Sequence, residues 1–267
     1  MSDLPPALKT ACTSGDLTLT KTLYNNLIST NPLAKTPALS QMAILSTKNA
    51  QFSILSYCFF EGFVMDSDNE NDPLIYSACD SGSIAIFRVL LDNGLDVNKY
   101  LELSGGPLTT ACHSGNVDLA TFLLDRGADP NNGYCLGEYE SLVWAILGNE
   151  ASLDMVRLLL ARGTVVKGTG SLIAAAEHGN LGAVKLLLEN KDVDLEEVED
   201  YGAYDGRKLD DQGTALYKAA AEGHLEIIDV LLSQGANGRF RDRKGRSVAD
   251  VAEARGHQDI MRRLMNS

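Results

Sequence analysis

The stretch Thr214-Ala215-Leu216-Tyr217-Lys218-Ala219-Ala220-Ala221-Glu222-Gly223-His224 decides the fold of this chain. It joins a run of small residues to a glycine, and a leucine-rich segment follows at residues 227–232. Small residues let neighbouring helices approach closely, and the glycine supplies the left-handed backbone conformation that ends a helix at little steric cost. The stretch therefore predicts a short helix, a turn at Gly223 and a second, longer helix.

The same pattern recurs about every 33 residues along the chain. The alanine that opens the small-residue phrase is found at Ala11, Ala43, Ala78, Ala111, Ala145, Ala175, Ala219 and Ala252. The leucine-rich segment is clearest at residues 87–91, 122–125, 155–160, 184–188 and 227–232, where leucines three and four apart form an apolar stripe. A two-helix unit of this size cannot bury that stripe alone, so the units must stack into a solenoid.

The repeat resembles the ankyrin repeat family over practically the whole chain. The helix-opening motif of that family, Thr-Pro-Leu-His-x-Ala-Ala-x-x-Gly-His, is similar to residues 214–224 and, less closely, to residues 247–257. The resemblance implies an all-α ankyrin-repeat solenoid of about eight helix-turn-helix units with finger loops. Every unit lacks the histidine of the opening tetrad, which is Tyr217 in the best copy. Because that ring ties the turn together in the family, its loss implies a less rigid stack.

We predict a single solenoid over residues 1–267. Residues 1–72 are the least regular and are predicted to be divergent repeats that include a cap, with a separate helical subdomain as the alternative. Residues 73–245 form the core repeats, and residues 246–267 form a C-terminal capping repeat. The sixth unit is about 11 residues longer than the period. Its insertion, at residues 195–213, is predicted to lie in a finger, where insertions project from the binding edge of a solenoid.

Composition excludes several classes of function. The chain holds 23 Lys and Arg against 36 Asp and Glu, a net charge of −13, which argues against binding nucleic acid or an anionic membrane. Its apolar runs are too short to span a bilayer, and its first residues lack the features of a signal peptide. Three of the five cysteines, Cys12, Cys79 and Cys112, occupy equivalent sites of the repeat and are predicted to be reduced core residues. We expect an intracellular protein, cytoplasmic or nuclear.

The search for catalytic motifs finds little. No phosphate loop, zinc-binding histidine pair or nucleophile elbow is present in the sequence, so we expect no cofactor, no metal and no enzymatic activity. Residues 168–170 precede a helix and could bind an anion, but a plain turn is favoured. His224 and His257 follow the motif glycine and are expected to be structural. Cys112 beside His113 suggests a thiol nucleophile, although core packing is favoured.

Tyrosines and acidic residues cluster in the predicted fingers. An aromatic face beside carboxylates suits Lys and Arg side chains, so we expect a scaffold that binds a basic protein or peptide through its fingers and concave groove. The candidate binding residues are Tyr100, Glu102, His113, Tyr134, Glu138, Tyr139, Trp144, His178, Tyr201 and Tyr204. Two readings stay open for the aromatic side chains. Trp144 either anchors a partner or fills the core, and the tyrosines either contact a partner or lean on neighbouring fingers.

Other functions also stay open. An enzyme or small-molecule binder would use a pocket in the concave groove around His113, Tyr139 and His178. A subunit of a larger assembly would expose an apolar patch on its leucine helices. The acidic insertion at 195–213 either binds a ligand or pairs with the basic finger at 239–246, and pairing is favoured. The sequence assigns no oligomeric state.

Overall fold

The computed structural model describes residues 3–66, 72–102, 105–132, 141–148, 153–198 and 212–265. Across these residues it contains sixteen α-helices, a short 3₁₀ helix at Pro32–Ala34 and only isolated β-bridges. The α-helices are α1 (Pro6–Ser14), α2 (Leu17–Thr30), α3 (Lys35–Lys48), α4 (Phe52–Phe60), α5 (Pro73–Ser81), α6 (Ile84–Asp92), α7 (Pro107–His113), α8 (Val117–Asp125), α9 (Ser141–Leu147), α10 (Leu153–Ala161), α11 (Ser171–Glu177), α12 (Leu181–Leu188), α13 (Ala215–Glu222), α14 (Leu225–Ser233), α15 (Val248–Ala254) and α16 (Gln258–Met265). Taken in pairs they confirm the predicted all-α fold of about eight helical hairpins.

The chain divides into two compact units, and the division falls within the fourth hairpin. In the first unit, residues 1–111 and 118–128, helices α1, α3 and α5 pack in one layer and α2, α4 and α6 in another. In the second unit, residues 112–117 and 129–267, helices α9, α11, α13 and α15 form one layer and α10, α12 and α14 the other. Within each unit, therefore, successive hairpins stack first helix on first helix and second helix on second helix.

The buried side of each helix is the side that the sequence pattern predicts. On α13, Leu216 and Ala219 are fully buried, and on α14 the side chains of Ile227, Ile228 and Leu231 are fully buried. The five leucine-rich segments of the sequence lie within α6, α8, α10, α12 and α14. The apolar stripe of the second helix is thus the surface that each hairpin buries.

Glycine and histidine form a recurring contact between neighbouring hairpins. The His257 ring lies against Gly223, where an added Cβ would come within 2.6 Å of a ring carbon, and His224 lies in the same way against Gly179. The Nε2 atom of each histidine is 3.1 Å from a carbonyl oxygen two residues before that glycine. Both glycines have positive φ angles, +90° and +72°. These two histidines are therefore structural, as the sequence predicts.

The second hairpin makes the same contact with other residues. Ala50, with φ +56°, takes the place of the glycine, and Gln51 takes the place of the histidine because its side chain lies against Gly15. The Gln51 N–H donates to the Ser46 carbonyl at 2.7 Å, a bond that the motif alanine accepts in other repeats. Ser46 is thus the equivalent of that alanine, and the assignment of Ala43 from the sequence is wrong by one helical turn.

Residues 1–72 include two hairpins, α1–α2 and α3–α4, that follow the same layer scheme. The boundaries of the cap, the core repeats and the insertion stay predictions.

Candidate interaction surface

Two candidate binding residues, His113 and Trp144, meet in the second unit. His113 is the last residue of α7, and its ring packs edge to face against the Trp144 indole of α9, with centroids 4.7 Å apart. Such pairs contribute about 0.5–1.5 kcal/mol beyond the area they bury. Gly148 permits this approach, because a Cβ there would lie 2.4 Å from the His113 carbonyl oxygen. The two rings are therefore held in a fixed arrangement.

Trp144 lies between the core and the surface. Its half-buried indole packs against the buried side chains of Val143 and Ala174. His178, directly after α11, is exposed, and its Nδ1 atom lies 3.0 Å from the Ala174 carbonyl oxygen. The structure thus brings His113, Trp144 and His178 into one row. We call the side of the α9, α11 and α13 layer that carries Trp144 and His178 the first-helix face.

A buried ion pair, missed from the sequence, continues this row. The Lys218 ammonium lies 3.2 Å from Glu177 Oε1, and the two side chains are only 8% and 22% exposed. A lysine with so little exposure needs an opposite charge, because desolvation disfavours the unpaired ion. A signal was available: Lys218 and Trp144 both immediately precede the repeat alanine. In these two repeats of the second unit, that position therefore carries a large polar or aromatic side chain.

The predicted finger residues are described only in part. Tyr100 is 40% exposed and Glu102 is exposed, and both belong to the first unit. Five candidate residues lie outside the described part of the chain: Tyr134, Glu138, Tyr139, Tyr201 and Tyr204. The pocket alternative depends on one of these, Tyr139, so it stays a prediction.

Side chains in successive turns connect each finger to the next. Asn98 Nδ2 donates to the Gly127 carbonyl at 3.3 Å. One repeat further along the chain, Asn131 Oδ1 accepts from the Val165 N–H at 2.9 Å. Glu196 Oε1 accepts from the Asn237 N–H at 2.8 Å, which joins the start of the acidic insertion to the finger that carries the basic residues. Asn237 precedes the basic residues 239–246, so the predicted pairing of opposite charges between the two fingers stays a prediction.

Glu197 binds the turn in front of α11. Its carboxylate accepts from the Gly170 N–H at 2.8 Å and from the Gly168 N–H at 3.1 Å. Residues 168–170 therefore do hold an anion, but that anion is a side chain of the protein itself. Consequently Glu196 and Glu197, two acids at the start of the predicted insertion, already act as internal hydrogen-bond acceptors.

Asp242 organises the basic finger. Its carboxylate accepts from the Tyr217 hydroxyl at 2.8 Å, from the N–H groups of Lys244 and Arg246 at 2.9 and 2.8 Å, and from the Arg246 guanidinium at 2.6 Å. Burial acts to raise the pKa of Asp242, but these hydrogen bonds outweigh it and lower the pKa. At this repeat Tyr217, which replaces the tetrad histidine, therefore keeps a hydrogen bond to the turn.

The described cysteines are free and buried: Cys12, Cys58, Cys79 and Cys112. Burial raises the pKa to about 11 for Cys12 and to about 12 for Cys112. A thiolate is the reactive form of cysteine, so the Cys112 thiol is poorly suited to act as a nucleophile. The prediction that Cys12, Cys79 and Cys112 pack in the core is confirmed.

Within the described ranges, no group of three or more His, Cys, Asp and Glu side chains is arranged to hold a metal ion. The same ranges contain no helix with the length and apolar character that crossing a membrane requires.

Comparison with known families identifies the repeat. A family model described as ankyrin repeats in three copies matches residues 39–134, 108–199 and 172–267. The crystal structure of the human ASB11 ankyrin repeat domain superimposes with a TM-score of 0.62 at 23% identity, covering 83% of this chain and 96% of that one. At this identity the likeness concerns the fold alone.

Two relatives illustrate the range of proteins that contain similar repeats. Notch-regulated ankyrin repeat-containing protein A of Danio rerio is 32% identical over 87 residues, which are 33% of this chain and 71% of the fish protein. The fem-1 homolog CG6966 of Drosophila melanogaster is 32% identical over 93 residues, 35% of this chain and 13% of the fly protein. The chain spans 17% or less of the length of the larger relatives that it matches.

Proposed function

Because this chain belongs to the ankyrin repeat family, whose repeats generally mediate protein–protein interaction, we propose that it is a non-enzymatic scaffold for a basic protein or peptide. The observation that carries the proposal is the row formed by His113, at the end of α7, with Trp144 and His178 of the first-helix face. A half-buried tryptophan in a fixed position loses little conformational entropy on binding and is the residue type that most often dominates interface energies.

The preference for a basic partner rests on charge. The chain has a net charge of −13, and its long insertion places Glu199, Asp200 and Asp205 around Tyr201 and Tyr204 in the sequence. Since Glu196 and Glu197 have internal roles, we assign the attraction for cations to the other acids of the insertion. Carboxylates of this kind accelerate encounter with a cationic partner and set its salt dependence.

An intracellular location, cytoplasmic or nuclear, belongs to the same proposal and is supported by the buried free cysteines.

The charge assignment can be tested with a fluorescein-labelled arginine-rich peptide. The triple variant Glu199→Gln, Asp200→Asn and Asp205→Asn should weaken binding about tenfold and reduce its salt slope, because exposed charges act mainly through long-range attraction. A matched triple variant, Asp118→Asn, Glu253→Gln and Asp259→Asn, removes the same charge from exposed positions on three helices. If both triple variants lose the same affinity, the effect comes from the net charge of the protein, and the assignment of the attraction to the acids of the insertion is refuted.

The anchor role has an independent readout, because Trp144 is the single tryptophan of the chain. Saturating arginine-rich peptide should shift its emission, and Trp144→Phe should weaken binding by an amount typical of interface anchors, about tenfold or more. Peptide that binds without any change in emission would contradict a site at the first-helix face.

A further inference from the structure

The most exposed large apolar side chains that the structure describes lie beside the second hairpin. Leu33, just before α3, is 91% exposed, and Phe60 and Val64, at and after the end of α4, are 85% and 81% exposed. Single exposed apolar residues are common, but several at one location indicate a binding surface. None of these three was singled out by the sequence, since none belongs to a recognisable motif.

A groove lies at the same place, between the start of α3 and the segment after α4. Its volume is about 270 Å³, and Lys35, Leu39, Phe63 and Val64 contribute to its lining. Phe63 is held in position by an edge-to-face contact with Phe59, with centroids 5.3 Å apart. The groove is smaller than the ~300–1,000 Å³ of typical small-molecule sites. It therefore suits one or two side chains of a protein segment.

Lys35 is the one charged side chain among the described residues that line this groove. Glu61 and Asp66, acids close to the lining residues in the sequence, are not part of that lining. Lys35 is exposed at the groove and forms no ion pair with any residue that the structure describes. An ammonium group beside an apolar groove favours a carboxylate next to an apolar side chain.

We propose that the groove lined by Lys35, Phe63 and Val64, with the exposed Leu33 and Phe60 close to it in the chain, docks a short acidic partner segment that carries bulky apolar side chains. An apolar side chain of the segment enters the groove against Phe63 and Val64, and a neighbouring carboxylate pairs with Lys35. This surface selects an acidic segment, whereas the fingers are proposed to select a basic one. The acidic segment is therefore a second partner, distinct from that of the proposed function. The chain would then join an acidic segment at one site to a basic segment at another.

The probe for this proposal is a fluorescein-labelled synthetic peptide that alternates Asp or Glu with Leu or Phe. Fluorescence anisotropy with the full chain should detect saturable binding, and Lys35→Glu and Val64→Ser should each weaken it by at least about tenfold. The matched controls are Lys48→Glu, an exposed lysine on the same helix as Lys35, and Phe52→Ser, an exposed apolar residue at the other end of α4. Both controls should stay within about twofold of the unaltered chain.

Three outcomes would overturn the proposal. Binding that is absent, or that the control variants lose equally, removes the surface from consideration. A peptide with lysines in place of the acids that binds as tightly contradicts the role of Lys35. Concentration-dependent self-association that Val64→Ser abolishes, measured by sedimentation, would make a second copy of the chain the occupant. None of these results depends on the arginine-rich peptide, so this proposal and the proposed function can fail separately.

Discussion

Replacing Ala50 by glycine should stabilise the protein. Ala50 is the one non-glycine residue with a positive φ that the structure describes, and it follows the first helix of its hairpin, at the position where other repeats have glycine. An L-residue in this conformation brings its Cβ too close to the following carbonyl oxygen. Glycine has no Cβ, so Ala50→Gly removes this strain and leaves the turn unchanged.

The expected gain follows from two opposing terms. The left-handed conformation costs alanine about 1–2 kcal/mol, and glycine adds ~0.4–1 kcal/mol of conformational entropy to the unfolded chain. Ala50 is exposed, so the substitution removes no packed methyl group. The net stabilisation is therefore about 0.5–1 kcal/mol, or a rise of roughly 1–3 °C in the unfolding midpoint for a chain of this size.

Thermal unfolding followed by far-UV circular dichroism can measure this shift. The matched control is Ala254→Gly, because Ala254 is also exposed and is the last residue of a first helix, so it has helical backbone angles. There the same substitution should lower stability by about 0.5 kcal/mol. Equal losses in both variants would refute the left-handed assignment of Ala50 and its equivalence to the repeat glycine.

Three further substitutions test contacts between hairpins. Gly223→Ala should lower the free energy of unfolding by about 2–3 kcal/mol in urea, because it adds backbone strain and a Cβ 2.6 Å from the His257 ring. A decrease no larger than that of an ordinary surface substitution would contradict this contact. Glu197→Gln should lower the free energy of unfolding by ~1 kcal/mol, because the amide has only one acceptor oxygen for the N–H groups of Gly168 and Gly170. An unchanged urea midpoint would refute this role of Glu197. Because the pKa of Asp242 is lowered in the folded protein, its carboxylate stabilises the fold fully at pH values above the ordinary pKa of 3.8. This stabilisation is lost as the pH falls through the lowered pKa. The stability difference between the protein and Asp242→Asn should therefore be greatest near neutral pH and shrink in acid, and a constant difference would argue against the carboxylate bonds.

Most of the fold could be predicted because its signals are local. A glycine followed by His224 and a leucine stripe at 227–232 specifies a hairpin whatever surrounds it. The second hairpin was placed one turn out of register because the decisive features, the positive φ of Ala50 and the amide of Gln51, use residue types that carry no turn signal. The bond from Gln51 to Ser46 and the contact of Gln51 with Gly15 reveal the true equivalence.

The surface could be predicted less well, because its chemistry depends on distance in space. The sequence identified Trp144 and His113, but their ring contact joins two hairpins and requires the close approach permitted at Gly148. Likewise Glu197 looks like one more acid in an acidic run, and its bond to Gly170 exists only because two fingers lie side by side. Pairing of Lys218 with Glu177 escaped prediction for the same reason.

The contact of Gly179 with His224, and of Gly223 with His257, bears on how such a chain can change length over evolution. Each contact reaches only the adjoining hairpin, so duplication or deletion of a complete repeat would re-create it at the new junction. A single residue gained inside a helix would instead rotate everything beyond it by about 100° and carry the ring away from its glycine. Growth is thus permitted in whole repeats or outside the helices, and the described start of the predicted insertion, residues 195–198, lies in the second of these places.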